Sequence, residues 1–144
     1  MATKDIQNEI DEEMQEADII AKLMAADPDN VPTMVIPLAR LGIPVTLKAL
    51  TGKQVSRTRD RHTQTIKTKN GPVDKLDSEA FGIALIAASS VKPNWNDAKL
   101  LEKFKASSAN EVIKRLLLAG EIQLLSDAVL EVSGYNLSLD DVKN

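Results

Sequence analysis

Three apolar segments between Trp95 and Tyr135 constrain the fold most, because each is too short to be a stable helix alone. Asn96 is placed to cap the first, whose apolar face is Ala98, Leu101 and Phe104, with Leu100 beside it. Ser108 and Glu111 have the spacing of a capping box. In that motif the serine hydroxyl accepts from the Glu111 amide and the glutamate reaches back to the serine amide. Val112, Ile113, Leu116 and Leu117 then recur at helical spacing. Gly120 is expected to end that helix in the left-handed conformation. A third helix carries Ile122, Leu125, Ala128, Val129 and Val132, and Gly134 stops it. Short helices with short joints must fold back on one another to bury their stripes.

Upstream, Asp77 caps a helix with Leu76 and Phe81 as a hydrophobic staple. Phe81, Leu85 and Ala88 share one face, while Ile83, Ala84, Ile86 and Ala87 fill much of the rest. A helix apolar almost all round is buried on several sides, so this one is expected at the centre. Val91 to Asn94 reads as a joint. Thr51 and Gln54 form another capping box, with Leu50 and Val55 as its staple. The helix that follows bears Arg57, Arg59, Arg61 and His62, passes into Thr63 to Thr68, and turns at Asn70-Gly71-Pro72. Met34 to Ala49 reads as two strands around a turn at Leu41-Gly42, with Val45, Leu47 and Ala49 alternating with Thr46 and Lys48. Pro37 and Pro44 each remove a donor, which predicts edge strands or a short hairpin rather than a central strand. Residues 3–26 read as one amphipathic helix striped by Ile6, Ile10, Met14, Ala17, Ile20 and Met24. Asp27-Pro28-Asp29-Asn30-Val31-Pro32 is a linker.

The expected fold is therefore mainly α: a small helical domain with an N-terminal amphipathic helix and one short β-hairpin. Residues 1–30 form the acidic helix and linker. Residues 31–135 form a single α-rich domain, with the hairpin at about 34–49 and the helical trio at its end. Residues 136–144 are a polar tail. The only aromatic residues are Phe81, Trp95, Phe104 and Tyr135, so the core must be aliphatic. That favours helices over a β-sandwich.

Catalysis finds no support in the residues. Without cysteine there are no disulfides, no thiolate nucleophile and no thiolate metal site. The one histidine, His62, lies in an exposed basic run without a partner. The acidic spacing after Asp27 fails as a calcium loop, since its sixth and twelfth positions are Pro32 and Leu38. Gly52-Lys53 is no phosphate loop, because Leu47 stands where the motif needs its first glycine. No catalytic, cofactor-binding or metal-ligating residue is assigned. The first thirty residues are acidic, unlike a secretory signal, and no apolar run reaches membrane-spanning length. A soluble cytoplasmic protein is expected.

Charge is unevenly spread. Residues 1–30 hold two lysines against nine carboxylates, whereas residues 40–75 hold nine basic side chains against Asp60 and Asp74. These opposite charges favour self-association between chains. The basic segment 53–69 also suggests an alternative, a small nucleic-acid-binding regulatory protein. A chain acidic overall, with no stacking aromatic in that run, disfavours it.

Several blocks between residues 32 and 135 occur in an order that resembles a known family. They are Arg40-Leu41-Gly42-Ile43, the run Val45-Thr46-Leu47-Lys48-Ala49-Leu50-Thr51, Asp77 with Phe81, and Leu85-Ile86-Ala87-Ala88-Ser89. The most telling are Leu116-Leu117-Leu118-Ala119-Gly120-Glu121-Ile122 and Ser133-Gly134-Tyr135. The chain resembles the phage tail assembly chaperones of Gram-positive phages and phage-like elements, the XkdN-like type. It departs from them at Ala119, where many members carry proline, and at Phe104-Lys105, where an aromatic-glycine pair is frequent. The resemblance implies a non-enzymatic protein without cofactor. Such a protein binds the tape measure protein, keeps it soluble and promotes tail tube assembly around it. Further partners implied are the tail tube protein and a frameshifted longer form of the chain itself. It also implies residence in the host bacterial cytoplasm and absence from the mature virion. A tape measure protein exposes long apolar helical stripes that a helical chaperone can cover. The candidate partner-binding residues are Ile6, Ile10 and Met14 on the N-terminal stripe, Arg57 and Arg61 on the basic helix, and Leu118, Leu124 and Leu130 off the main C-terminal stripes.

Overall fold

The computed structural model describes residues 10–136. Contacts divide the chain into two units. One runs Val31–Asn136, and residues 10–30 fall in the other.

In the smaller unit, α1 spans Glu16–Ala25 and none of its residues is buried. Of the helix expected over residues 3–26, the described part spans Glu16–Ala25, and residues 10–15 stand before it outside the helix. Asp11 explains the turn before it. Its carboxylate accepts from the Glu13 amide at 2.9 Å and its carbonyl from the Met14 amide at 3.1 Å. A side chain that bonds its own backbone two residues on competes with helix and favours a turn. Ile10 and Met14 therefore lie before the helix.

The larger unit is α+β, not mainly α with one hairpin. In chain order it comprises β1 (Thr33–Leu38), β2 (Ile43–Lys48), α2 (Gly52–Arg61), β3 (Thr63–Thr68), β4 (Gly71–Leu76), α3 (Ser78–Ser89), β5 (Ser90–Lys92), α4 (Ala98–Lys103), α5 (Ala109–Leu116) and α6 (Ala119–Val132). A three-stranded antiparallel sheet runs β1-β2-β5, and β3 and β4 form a second antiparallel pair. The expected edge hairpin is thus part of a larger sheet with β2 in its middle. Two things let a proline sit there. Pro44 faces Pro37 across the ladder, so both missing donors share one rung, and alternate antiparallel rungs need no N–H bond. β5 reaches only Thr46 and Leu47, which leaves Pro44 beyond its end. The stretch Val91 to Asn94, read as a joint, contributes the end of that third strand. Thr63 to Thr68 is a strand as well, paired in register from Thr63 with Leu76 to Thr68 with Gly71.

One core joins sheet and helices. Val45 and Leu47 of β2 are fully buried, as are Leu85 and Ile86 of α3, Val112 and Ile113 of α5, and Leu125 and Val129 of α6. The helix apolar nearly all round is central: α3 packs against α6, α5, α2 and β2, although Ala88 faces outward. A Cβ added at Gly82 would meet the Ser126 Cβ at 3.4 Å, so glycine there permits the close approach of α3 and α6. Polar groups at the layer boundaries are paired. Ser89 Oγ donates to the Lys48 carbonyl at 2.6 Å, the Leu50 amide donates to Ser133 Oγ at 2.9 Å, and Trp95 Nε1 donates to Ser90 Oγ at 2.9 Å.

Several caps form as expected. Thr51 and Gln54 make a full capping box over buried Leu50 and Val55, and Asp77 caps α3. Three expectations need correction. Asp97, not Asn96, caps α4, because its carboxylate reaches the Lys99 amide at 2.9 Å. Ser108 accepts from the Glu111 amide, but Glu111 reaches past it to the Ser107 amide at 2.6 Å. Gly120 does not end a helix. α5 stops at Leu116, Leu117 is its C-cap, and Gly120 lies in the first turn of α6. Gly134 does stop α6, at φ 92. Its amide donates to Glu131 and that of Tyr135 to Leu130, the paired bonds of a Schellman motif. In Ser133-Gly134-Tyr135, serine ties the β2–α2 joint to the end of α6, glycine supplies the left-handed residue, and the tyrosine amide closes the turn.

Candidate functional site

The candidate residues are partner-binding ones, and the question is which apolar and charged side chains the fold leaves uncovered. On α6 the buried stripe is Leu125, Ala128 and Val129. Leu124, one position from Leu125, points outward and is 50% exposed. Leu118 precedes the helix in extended geometry and is 56% exposed. Leu130 is partly buried and packs against the core, so it widens the core face instead of serving as free surface. Gly82 and Ser78 of α3 face Ala119, Ile122 and Ser126 of α6 across a cleft. A second cleft lies between α3 and α5, where Lys114 approaches Glu79 at 3.9 Å.

An ion pair organises this end of the unit. The turn between β1 and β2 presents Arg40, whose guanidinium donates from Nε and NH2 to the Glu121 carboxylate, the shortest bond being 2.7 Å. The same guanidinium donates to the Leu116 carbonyl at 3.1 Å. Glu121 also accepts from the Leu118 amide at 2.8 Å, capping α6 from within. One arginine therefore holds the end of α5, the joint and the start of α6, and so sets where Leu118 emerges. The bond from Arg40, then that from the Leu118 amide, holds the Glu121 carboxyl below its ordinary value. The Glu121 carboxylate in turn raises Arg40. The sequence reading placed Arg40 and Glu121 in two separate family blocks and missed their pairing. Opposite charge at two motif positions was the available signal.

The basic candidates lie elsewhere. Arg57 and Arg61 are exposed on α2 and line a shallow cleft with Lys53, Ser56 and Asp60. Arg59 turns away from them, its guanidinium 5.4 Å from the centre of the Phe81 ring. Of the N-terminal candidates, Ile10 is 67% exposed, Met14 is partly buried, and Ile6 lies outside the described residues. The structure thus brings Arg57 and Arg61 together on α2 and leaves Leu118 and Leu124 exposed separately, one before α6 and one on it. Among the described residues no helix is long and apolar enough to cross a membrane.

The family described as phage XkdN-like tail assembly chaperone protein matches residues 20–144. The phage-like element PBSX protein XkdN of Bacillus subtilis (strain 168) is 28% identical over 103 residues, which cover 70% of this chain and 70% of that protein. The protein YqbN of the same strain is also 28% identical over 103 residues, covering 70% of this chain and 69% of its own length. The crystal structure of the protein YqbN superposes with a TM-score of 0.59 over 79% of this chain and 94% of that one. At 20% sequence identity this likeness shows a common fold.

Proposed function

Because this chain belongs to the XkdN-like family of phage tail assembly chaperones, we propose that it binds a tape measure protein, keeps it soluble and promotes assembly of the tail tube around it. The family match, which spans the whole of the larger unit, carries the reading, and its role in phage tail assembly is the premise. The physical support is the uncovered apolar surface at α6. A tape measure helix carries apolar stripes that aggregate until the tube encloses them. Leu118 just before α6 and Leu124 on it are exposed, each next in sequence to a residue that lines the α3–α6 cleft, and such a surface suits a helix laid in a groove. The tail tube protein and a frameshifted longer form of the chain are further proposed partners. The protein acts in the host cytoplasm and leaves before the virion matures.

The test is co-expression with the tape measure protein encoded by the same phage or element. The tape measure protein should be soluble only with this chain and should co-purify with it. Leu124→Asp and Leu118→Asp should each lower its soluble yield without unfolding the chaperone. A tape measure protein equally insoluble with and without the chain would overturn the proposal.

A further inference from the structure

Two uncovered surfaces of this chain match each other. On α1, Ile19, Ile20, Leu23 and Met24 share one face, and all four are exposed, Met24 by 81%. Glu16 opens the helix, Glu12 and Glu13 precede it in a turn, and Lys22 is the helix's one cation. The other surface is α2 with the β3–β4 hairpin that follows it directly in the chain, here called the arm. Lys53, Arg57 and Arg61 line the shallow cleft on α2, and the chain passes through His62 straight into β3. The hairpin sets Ile66 opposite Val73, and both are exposed. Lys75, two positions on from Val73, shares the face of that apolar rung, while Lys67 lies on the other face and Lys69 in the turn. A two-stranded hairpin with an apolar rung in water is marginal alone, so this arm gains from a cover.

We propose that α1 of one copy docks on the α2–β3–β4 arm of a second copy of this chain. The occupant is identified by chemistry. It must bring an apolar stripe for Ile66 and Val73 and negative charge for Lys75 and the cations of α2, and α1 with the carboxylates that precede it carries both. A nucleic acid would meet the cations but leave Ile66 and Val73 in water. It would also find no stacking side chain, since the aromatics are Phe81, Trp95, Phe104 and Tyr135, all outside the arm. The contact uses neither Leu118 nor Leu124, so it stands or falls separately from tape measure binding.

The experiment is sedimentation velocity on the full chain and on two charge-reversed variants, one with Glu12→Lys, Glu13→Lys and Glu16→Lys, the other with Arg57→Glu, Arg61→Glu and Lys75→Glu. All six positions are exposed or lie before the helix, and circular dichroism confirms that each variant is folded. The native chain should associate as its concentration rises and do so at least about tenfold more weakly in ~500 mM than in ~50 mM salt. Each variant alone should stay monomeric, and an equal mixture of the two should associate again. Val73→Ser should weaken association without changing its salt dependence. Monomer at every concentration would overturn the proposal, as would association that survives both reversals. A mixture that stays monomeric, with rescue only when both reversals share one chain, would place the contact within a chain and overturn it too.

Discussion

Lys105 sits at φ 50, directly after Phe104 caps α4, and among the described residues it is the one non-glycine in the left-handed region. That conformation costs an ordinary residue roughly 1–2 kcal/mol, because Cβ crowds the following carbonyl. The carbonyl of Lys105 also accepts from the Arg115 guanidinium, so the turn is held from across the joint. Glycine removes the crowding and returns part of the gain as unfolded-state entropy. We expect Lys105→Gly to raise the unfolding free energy by about 0.5 kcal/mol in urea titration, and Lys105→Val to lower it. Ala119 is the second departure from the family pattern, and it is the first residue of α6. Proline suits that position, where its missing donor costs nothing and its fixed φ is already helical. Leu118 before it is extended, at φ −71 and ψ 155, as a residue preceding proline must be. Ala119→Pro should therefore stabilise by about 0.4–1 kcal/mol, measured by the same titration. Both departures were visible in the sequence as changes at helix joints. What each backbone does there was not, because φ is set by the elements on either side.

At the scale of elements, the Arg40–Glu121 pair decides how α5 and α6 meet. Its carboxylate is held below the ordinary value of 4.5, first by Arg40 and then by the Leu118 amide. A carboxyl whose value is depressed binds fewer protons folded than unfolded. Its contribution is then fully present above about pH 4.5 and is lost as pH falls through the depressed value. Glu111, held down first by the Ser107 amide, acts in the same direction. We expect the thermal midpoint of the native chain to fall below pH 4.5, and Glu121→Gln to flatten part of that fall while lowering the midpoint at pH 7. An unchanged profile in the variant would count against the clasp. Glu121→Gln should also weaken tape measure binding if the joint positions Leu118. Capping residues three or four apart were legible in the sequence, although Glu111 chose Ser107 over Ser108 and Asp97 displaced Asn96. Those choices rest on turn geometry finer than residue spacing.

Across the whole molecule, neighbouring leucines of the same helix have opposite fates. Leu125 is fully buried among sheet and helices, while Leu124 is half exposed. Leu125→Ala should cost about 2–5 kcal/mol of unfolding free energy, since it leaves a cavity where the layers meet. Leu124→Asp should change stability by no more than about 0.5 kcal/mol. Measured side by side, the two separate core from binding surface. By itself the sequence determined the family resemblance, the largely aliphatic core, the central helix after Asp77, the capping box at Thr51, the cap at Asp77 and the stop at Gly134. These depend on periodicity and on hydrogen bonds between residues a few positions apart. Only the tertiary structure decided that β2 lies mid-sheet, that Ser90–Lys92 is its third strand, that Thr63 to Leu76 is a hairpin, that Leu130 belongs to the core, and that Arg40 clasps Glu121. A strand is stabilised by the partner it pairs with, and a salt bridge by the partner it faces. Those partners lie far off in the chain, so the α+β architecture emerged only when the chain was folded on itself.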